Sequence, residues 1–341
     1  MSNQRRGLLI GAGYFSQFHI EAWQRIPEIT ITGVCDQNAG AADAFARQWN
    51  LPNAYEDIQE ALEAGQPDFV DIITPPATHK ALVEEAARRG IAIICQKPLA
   101  PTQEEARALV AIAEQQGVPF MVHENFRFQP WHRELKKLLD SGIVGSRIFS
   151  LYWRLRMGDG WQADAYLARQ PYFRDYQRLL IYETGIHLID TLRYLTGSEV
   201  TDVFARLHQR NPDIQGEDSG LVVLSFRGGA DAVLDMSRYN ENRHETPRYT
   251  FAELLTIDAE GGTLRLFADG SIEVQPLGKP AYPHAYTHRN HGFAGDCVFF
   301  CQRHFVDAWL ANTPFETSGA DYLKNITIQE AIYHQTPPYR M

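Results

Sequence analysis

Short apolar segments alternate with helical patterns through the first 125 residues, and this alternation constrains the fold more than any other feature of the sequence. The apolar segments cover residues 8–10, 29–35, 69–73, 91–95 and 118–122. The helical patterns between them cover residues 15–25, 39–49, 58–64, 79–89 and 103–116. Continuous apolar strands separated by helices are typical of a parallel sheet that is buried on both faces. We therefore predict an α/β domain with a doubly wound parallel sheet over residues 1–125.

A different pattern begins after residue 125. Residues 147–157 alternate between apolar and polar side chains, which is the period of a strand with two different faces. Similar strand patterns occupy residues 200–209, 220–226, 230–239, 251–258, 262–267 and 271–275, and helical patterns occupy 131–140, 186–195 and 294–311. We therefore predict that residues 126–341 form a second, α+β domain with an open, largely antiparallel sheet.

The length and composition of the chain fit a soluble protein of two domains. Its 341 residues exceed the size at which single cores stop growing, and 44% of them are hydrophobic. The net charge of −10, without a long basic segment, argues against nucleic acid or an anionic membrane as the main partner. No apolar segment approaches the roughly 18 residues of a membrane helix, and residues 1–6 lack the pattern of a signal peptide.

The four cysteines point to a reducing compartment. Cys35, Cys95, Cys297 and Cys301 have neither the spacing of a disulfide framework nor that of a zinc site. Cys297 and Cys301 are four residues apart in an apolar helical pattern, which favours core packing. The predicted location is therefore the cytoplasm.

A dinucleotide-binding fingerprint follows the first apolar segment. Gly11 and Gly13 allow a tight turn and a close approach of the backbone to a pyrophosphate, and the next helix presents its N–H groups to that anion. Tyr14 and Phe15 continue the turn. Ser16 replaces the third glycine, at a position where a small residue is enough for the helix to pack on the strand. The alternative is a tight turn that binds nothing, and the strand–turn–helix context favours the nucleotide site.

Asp36 ends the second apolar segment, 20 residues after Ser16. A carboxylate at this point binds the hydroxyls of the adenosine ribose and repels a 2′-phosphate. Gln37 and Asn38 offer no cation for such a phosphate. The sequence therefore predicts NAD as the cofactor, with NADP less favoured.

With these features, the chain resembles the glucose–fructose oxidoreductase, inositol dehydrogenase and rhizopine catabolism (Gfo/Idh/MocA) family. Six segments agree in order: residues 11–13 (Gly-Ala-Gly), 74–79 (Thr-Pro-Pro-Ala-Thr-His), 96–98 (Gln-Lys-Pro), 125–128 (Asn-Phe-Arg-Phe), 161–164 (Trp-Gln-Ala-Asp) and 183–190 (Glu-Thr-Gly-Ile-His-Leu-Ile-Asp). The resemblance covers nearly the whole chain. It implies a Rossmann domain, a second domain whose open sheet joins subunits into a homodimer or homotetramer, and a last helix, at about residues 318–333, that packs back on the first domain.

The fingerprint and the resemblance together give a set of cofactor-binding candidates. They are Gly11, Gly13, Tyr14, Phe15, Asp36, Thr74, Pro75, His79, Gln96, Lys97, Asn125 and Trp161. Two of these have ready structural alternatives: consecutive prolines at 75 and 76 also start a helix, and Trp161 also suits an aromatic plug in a loop.

Lys97 follows the fourth apolar segment, so it lies at the carboxyl edge of the predicted sheet, where open α/β sheets bind ligands. The resemblance implies that its ammonium donates to the substrate oxygen and stabilises developing alkoxide charge. The alternative is an ordinary surface lysine. Gln96 stands where the family usually has glutamate. Glutamine keeps a hydrogen-bond donor and an acceptor but lacks the negative charge.

Glu183 and His187 are four residues apart at the start of a predicted helix, on the same face. The resemblance implies that His187 is the general base for an alcohol and that Glu183, usually an aspartate in the family, orients it or binds a substrate hydroxyl. Without the resemblance, a core or capping histidine is the favoured interpretation of His187. Asp190, three residues further on, is assigned to the polar side of the helix.

The remaining candidates concern the substrate and a metal. The predicted substrate residues are Lys97, Asn125, Arg127, Arg156, Glu183 and His187, with an ion pair between domains as the alternative for Arg127. His284, His288 and His291 form a loose cluster, but no Cys, Asp or Glu falls within it, so no metal is predicted. A loop at the substrate pocket or at a subunit contact is the preferred interpretation.

The leading hypothesis is an NAD-dependent dehydrogenase of a sugar or polyol, which oxidises a carbinol by hydride transfer. Aldoses that become lactones, inositols and branched sugars such as apiose lie within the range that the resemblance implies. One alternative is a glycoside hydrolase that retains NAD through each turnover. Another is a regulatory protein that senses a dinucleotide without catalysis.

Overall fold

The computed structural model of the chain describes residues 4–243 and 250–335. Its internal contacts divide the chain into two compact units. The first contains the described residues up to Asn125 together with Val298–Lys324, and the second contains Phe126–Cys297 and the residues from Asn325 onward.

Residues 298–324 correct the predicted division of the chain, because the sequence analysis assigned them to the second domain. Their contacts place them in the first unit. Thr317 accepts a backbone hydrogen bond from Val122 and donates its side-chain hydroxyl to the carbonyl of Val122, and Ser318 forms an isolated bridge with Met121. This segment therefore extends the edge of the first sheet.

The first unit contains the predicted parallel sheet. Its strands, in the order β3-β2-β1-β4-β5-β6, are β1 Arg5–Ile10, β2 Ile29–Cys35, β3 Ala54–Tyr55, β4 Phe69–Ile72, β5 Ala92–Gln96 and β6 Phe120–His123. Every neighbouring pair is parallel. The sequence analysis missed β3, since two residues are too few to show a period. Because the strands are parallel, all their carboxyl ends lie at one edge of the sheet.

Helices connect these strands. They are α1 Ser16–Trp23, α2 Ala39–Trp49, α3 Ile58–Gly65, α4 Pro76–Arg88 and α5 Gln103–Gln116. α4 begins three residues earlier than predicted, because Pro76 occupies the first helical turn, where a missing N–H costs nothing. Gly117 ends α5 in the left-handed conformation, as its position predicts.

The second unit contains the predicted open sheet, in the order β14-β13-β12-β11-β7-β10-β9-β8. Its strands are β7 Ile148–Arg156, β8 Val200–His208, β9 Ser219–Phe226, β10 Asp231–Ser237, β11 Leu254–Ala259, β12 Gly262–Phe267, β13 Ile272–Pro276 and β14 Tyr282–His284. β7 and β10 run parallel, and the other neighbouring strands run antiparallel. The structure confirms a largely antiparallel sheet.

One face of this sheet forms the core of the second unit. Trp153 on β7 lies in register with Leu234 on β10 and Leu255 on β11, and all three are fully buried. The helices α6 Pro130–Asp140 and α7 Ile186–Thr196 contribute to the same apolar cluster. The alternate residues of the strands point to the opposite face.

Two segments differ from the sequence prediction. β14 occupies part of the histidine segment that was interpreted as a loop, and it pairs with β13. The predicted helix 294–311 is α8 Cys297–Ala311 and begins three residues later. Ala294, Gly295 and Asp296 all have positive φ angles, of 46°, 72° and 70°, and L-residues cannot continue a right-handed helix there.

The last helix, predicted at about residues 318–333, is present as α9 Gly319–Gln335. Its residues up to Lys324 belong to the first unit and its later residues to the second. None of the helices in the described ranges is both long and apolar enough to span a membrane. All four cysteines are buried and have free thiols.

Candidate active site

The turn between β1 and α1 has the geometry that a pyrophosphate site needs. Gly11 has a φ of 109°, and a Cβ there would lie 2.7 Å from the carbonyl oxygen of Ile73, so only glycine fits. A Cβ at Gly13 would instead meet none of the described atoms within 4 Å. Gly13 therefore leaves the backbone of the turn accessible to a ligand from that side.

Ser16, which replaces the third glycine of the fingerprint, is buried at the first turn of α1. Its Oγ donates a 2.8 Å hydrogen bond to the carbonyl oxygen of Gly11. The hydroxyl therefore has a partner although it is buried, and it ties the helix to the turn. This bond explains how serine is accommodated at a position that usually needs glycine.

The N-terminus of α1 lacks the side-chain cap that three other helices of the first unit have. Asn38, Asp57 and Thr102 cap α2, α3 and α5 with side-chain hydrogen bonds, whereas Phe15 at the start of α1 makes no such bond within the described part of the chain. Tyr14 is 47% exposed, and its ring packs edge-on against Phe18. The N–H groups of Ser16 and Phe18 donate to the carbonyl oxygens of Gly13 and Phe15 at 3.1 Å, and the positive end of the helix still suits a pyrophosphate.

Asp36, at the carboxyl end of β2, has two backbone partners. Its Oδ2 accepts a hydrogen bond from the N–H of Ala12 at 2.8 Å, and its Oδ1 accepts from the N–H of Asn38 at 2.9 Å. Each carboxylate oxygen has a second lone pair and can also accept from a ribose hydroxyl. Asp36 therefore fixes the glycine turn as well as facing the predicted ribose position. The turn, the uncapped helix and this carboxylate together fit a dinucleotide.

The carboxyl end of β4 leads into Thr74 and Pro75. Pro75 is extended and precedes α4, and the hydroxyl of Thr78 donates to that of Thr74 at 2.7 Å. His79 is fully buried, with its two ring nitrogens 3.0 Å and 2.8 Å from the carbonyl oxygens of Leu99 and Thr74. Burial lowers the pKa of His79. This imidazole joins two loops at the sheet edge, and its contact with a cofactor remains a prediction.

Gln96 and Lys97 lie at the carboxyl end of β5. Gln96 is buried, and its Oε1 accepts a 2.7 Å hydrogen bond from the backbone N–H of Lys97. Its Nε2 lies 3.1 Å from Nε2 of His19 on α1. Lys97 is half-buried and precedes Pro98 through a cis peptide bond. The structure therefore places Lys97 at the edge where the sequence predicted it.

Asn125 follows β6 at the same edge and is buried. Its Oδ1 has no hydrogen-bond partner within residues 4–243 and 250–335. A buried amide oxygen without a partner is costly unless a ligand or water supplies a donor. The candidate residues of the first unit thus collect at the carboxyl ends of β1, β2, β4, β5 and β6.

In the second unit, Glu183 lies in the π-helical turn Leu180–Gly185, immediately before α7. Buried Glu217 anchors this turn, because its carboxylate accepts from the N–H groups of Leu179 and Ile181 and from the hydroxyl of Tyr333. Burial raises the pKa of Glu217, although these bonds oppose the rise. π-helical turns are rare and occur frequently at functional sites.

Arg238 holds the carboxylate of Glu183 in place and was not found from the sequence. Its fully buried guanidinium donates at 3.0 Å to Glu183 and at 3.0 Å to Asp159, and at 2.9 Å to the hydroxyl of Tyr166. Burial acts to lower the pKa of Arg238, but Asp159 and Glu183 outweigh it and hold that pKa above its ordinary value. This ion pair favours the charged form of Glu183.

His187 lies on the first turn of α7 and is buried. Its ring stacks on Phe126, with centroids 3.9 Å apart and planes inclined by 5°. The stack fixes the plane of the imidazole, which a general base requires.

Two other candidates, Arg127 and Arg156, are occupied by partners in the second unit. Arg127 makes a bidentate, buried ion pair with Asp190, at 2.7 Å and 2.6 Å, and Asp190 is fully buried rather than on the polar side of α7. Because Phe126 begins the second unit, this pair lies within that unit, not between domains as the alternative for Arg127 had it. Nη2 of Arg156 donates to both carboxylate oxygens of Asp235, at 2.8 Å each.

Trp161 and the histidine segment are more exposed. Trp161 is 44% exposed, and its indole N–H donates to Glu241 at 3.2 Å. Nε2 of His284 lies 2.9 Å from a carboxylate oxygen of Glu134, whereas burial lowers the pKa of His288. Within the described ranges, no three His, Cys, Asp or Glu side chains are arranged to hold a metal ion.

Comparison with known proteins identifies the family. Residues 5–124 match the profile of the oxidoreductase family with an NAD-binding Rossmann fold, and residues 132–265 match the profile of the Gfo/Idh/MocA C-terminal domain. The chain belongs to the Gfo/Idh/MocA family. It is therefore an oxidoreductase, and its first unit is an NAD-binding domain, as the fingerprint predicted.

Several family members are similar over nearly their whole length. A D-apiose dehydrogenase from Paraburkholderia graminis is 34% identical, over 96% of this chain and 86% of its own. A D-apiose dehydrogenase from Rhizobium rhizogenes is 33% identical, over 96% and 94%. The crystal structure of an oxidoreductase from Agrobacterium radiobacter, in complex with NAD+, L-tartaric acid and magnesium, has a TM-score of 0.88 and 32% identity, and it covers 99% of this chain and 97% of its own.

Two positions depart from what the Gfo/Idh/MocA resemblance implies, Gln96 and Glu183. In both cases the structure supplies a specific partner, His19 for Gln96 and Arg238 for Glu183. Neither partner belongs to a recognisable motif, since they lie 77 and 55 residues away along the chain. The catalytic and substrate roles of the site residues remain predictions.

Proposed function

We propose that this protein is an NAD-dependent dehydrogenase of a branched aldose of the apiose type, which it oxidises at the anomeric carbinol to the lactone. The observation that carries the proposal is the similarity, over 96% of the chain, to two proteins named D-apiose dehydrogenase. A small polyhydroxylated substrate also suits the polar candidate side chains Lys97, Asn125 and Glu183.

Each proposed catalytic residue has a defined task. NAD, when bound at the glycine turn and Asp36, would supply the acceptor for the hydride of the carbinol carbon. The ammonium of Lys97 donates to the reacting oxygen and stabilises its developing negative charge. His187 takes the hydroxyl proton, and the Phe126 stack keeps its ring in one plane. Glu183, kept charged by Arg238, binds a neighbouring substrate hydroxyl rather than exchanging protons.

Subunit assembly is part of the same proposal. A row of side chains crosses the outward face of the second sheet in register, through Phe204, Val223, Val233 and Tyr152. Phe204 is 46% exposed and Tyr152 is 38% exposed. We propose that this face joins subunits into a homodimer or homotetramer. The buried, free thiols of the four cysteines support a cytoplasmic location.

The function is tested by following reduced-nicotinamide absorbance with NAD and a panel of D-apiose, other aldoses and inositols. D-apiose is expected to have the highest kcat/KM. Lys97→Ala and His187→Ala are each expected to lower kcat by about 10²- to 10⁴-fold. Lys80→Ala and His334→Ala serve as matched controls, because both positions are exposed and lie outside the candidate residues and the outward face of the second sheet.

The alternatives give different results in this assay. Release of an aglycone from a chromogenic glycoside, without net reduction of NAD, would indicate the NAD-retaining hydrolase. Tight NAD binding without turnover of any sugar would indicate a regulatory protein. Full activity of Lys97→Ala or His187→Ala would contradict the roles assigned to these residues.

A further inference from the structure

A chain of polar side chains runs through the interior of the first unit and ends at the backbone of Lys97. We call it the Asp71 chain; it consists of Asp71 on β4, His19 on α1 and Gln96 on β5. Asp71 and His19 are completely inaccessible to solvent, and Gln96 is 7% exposed. No motif in the fingerprint requires a histidine at this point of α1 or a carboxylate inside β4.

Each hydrogen bond of the Asp71 chain has a defined direction. Nδ1 of His19 lies 2.7 Å from Oδ2 of Asp71, and a carboxylate can only accept, so Nδ1 carries a proton. At the other end, the backbone N–H of Lys97 donates to Oε1 of Gln96 at 2.7 Å. The amide nitrogen of Gln96 therefore faces Nε2 of His19, at 3.1 Å. Since that amide nitrogen donates, Nε2 of His19 must accept.

The directions fit an amide at position 96 and an imidazole protonated on Nδ1 alone. A carboxylate at this position accepts from Lys97 but cannot donate to His19. A carboxylate at position 96 would therefore require a second proton, on Nε2 of His19. The imidazole ring would then lie between two buried carboxylates. The Gfo/Idh/MocA resemblance makes glutamine unusual here, and the Asp71 chain gives a physical reason for it.

The surroundings of His19 reinforce this arrangement. Trp23 donates its indole N–H to the same Oδ2 of Asp71 at 2.6 Å. The ring of His123 packs against that of His19, with centroids 4.2 Å apart. Asp71 therefore holds the edge of the His19 imidazole, and the ring of His123 covers its face.

We propose that Gln96 is a positioning residue for Lys97, and that the Asp71 chain fixes its amide in the orientation that holds the Lys97 backbone. The inference rests on the proposed catalytic role of Lys97. It adds that position 96 must both donate and accept. Residue 96 thus acts through the geometry of its neighbour and not by contact with the reacting atoms.

The decisive variant is Gln96→Glu, which keeps the shape and removes the donor. We expect kcat for the best sugar to fall by about 10- to 100-fold, because small misplacements of a catalytic group have effects of this size. Gln302→Glu is the matched control. Gln302 is fully buried, and its amide meets His19 at the backbone carbonyl, at 3.3 Å, rather than at the ring. Gln302→Glu therefore buries the same charge outside the Asp71 chain, and it is expected to leave kcat within a few-fold of the wild type.

A second readout does not need turnover. In protein labelled with ¹⁵N-histidine, the His19 signals, assigned with His19→Asn, report which ring nitrogens carry protons. The wild type and Gln302→Glu are expected to show the neutral Nδ1–H tautomer, and Gln96→Glu a doubly protonated ring. A wild-type His19 protonated on Nε2 would overturn the proposal even if Gln96→Glu does not fold.

Failure of this inference is distinguishable from failure of the proposed function. If no sugar is oxidised at all, the proposed function fails while the tautomer of His19 still tests the Asp71 chain. If the wild type is active and Gln96→Glu retains its kcat, the positioning role is wrong and the proposed function stands. Equal losses in Gln96→Glu and Gln302→Glu would also overturn the role, since burial of a charge alone would then explain them.

Discussion

Asp36 performs two tasks with one carboxylate. It accepts from the backbone N–H of Ala12, which shapes the glycine turn, and its free lone pairs face the place predicted for the adenosine ribose. Its negative charge disfavours a 2′-phosphate. Cofactor choice and the shape of the turn are thus coupled at a single residue.

Asp36→Asn separates these tasks. An amide oxygen can still accept from Ala12, but the charge is lost and the amide nitrogen would face the N–H of Asn38. We expect the KM for NAD to rise by about 10- to 100-fold, as for loss of a charge-assisted hydrogen bond, and the preference for NAD over NADP to shrink. Initial rates with both cofactors measure this.

The control for that experiment is Asp57→Asn. Asp57 also accepts from two backbone N–H groups, those of Gln59 and Glu60, but it caps α3. Its loss is expected to cost stability without changing cofactor preference. An unaltered ratio of NAD to NADP activity in Asp36→Asn would contradict the assignment of the ribose contact.

At the scale of single residues, the sequence predicts where a residue lies in the fold better than it predicts which side chains contact it. Gly11, Asp36 and Lys97 follow strands of a parallel sheet, so the order of elements alone brings them to one edge. Arg238 and His19 escaped prediction because their partners are distant in sequence. Charge pairing across 55 residues leaves no periodic signal, and only the folded chain reveals it.

At the scale of elements, long periodic segments were predictable and short or irregular ones were not. α2 and α5 have the predicted bounds, since capping residues mark their starts and left-handed residues their ends. The two-residue β3 shows no period. The helical pattern before Cys297 includes three residues whose backbone conformation excludes a helix. Hydrophobic spacing does not encode that backbone conformation.

The outward face of the second sheet gives a prediction at this scale. Tyr152 lies on the central strand β7, between Val233 and Thr256 of the neighbouring strands. If the face joins subunits, Tyr152→Lys removes an aromatic ring from the contact and places a hydrated ammonium there, so it is expected to shift the protein toward the monomer. Asp235, which accepts a hydrogen bond from Tyr152 at 3.1 Å, can pair with the new lysine, so the subunit itself should fold.

Light scattering after size-exclusion chromatography measures the change in mass. Gln116→Lys, an exposed position at the end of α5, adds the same charge away from the sheet and should leave the mass unaltered. A wild-type protein that is monomeric at micromolar concentration would contradict the proposed assembly. So would a Tyr152→Lys variant with the oligomeric mass of the wild type.

At the scale of the whole molecule, each unit contains a histidine whose charged form is disfavoured by burial. His79 in the first unit and His132 in the second have their pKa lowered by burial, that of His132 to about 4. His132 is fully buried, with Nδ1 2.8 Å from the carbonyl oxygen of Phe126, and its Nε2 has no hydrogen-bond partner in the described ranges. Protonation of this ring would therefore place an uncompensated charge in the core.

The lowered pKa of His132 predicts loss of stability in acid. Between about pH 6.5 and pH 4 the unfolded chain binds a proton at His132 that the folded chain does not, so the free energy of unfolding falls as the pH falls through this window. A difference of this size corresponds to on the order of 3 kcal/mol. The raised pKa of Glu217 acts in the opposite direction, because its folded state holds a proton more tightly than the unfolded one.

Comparison with His132→Asn isolates the contribution of His132 from these opposing groups. The amide nitrogen of asparagine can still donate to the carbonyl of Phe126, and the side chain does not titrate. The variant is expected to be less stable at neutral pH, since it leaves a cavity, yet to lose less of its unfolding free energy between pH 7 and pH 5. Urea denaturation at several pH values in this range measures both quantities.

Identical pH dependence of the unfolding free energy in the wild type and His132→Asn would show that His132 does not drive the acid sensitivity. Part of the sensitivity should persist in the variant, because His79 is unaltered.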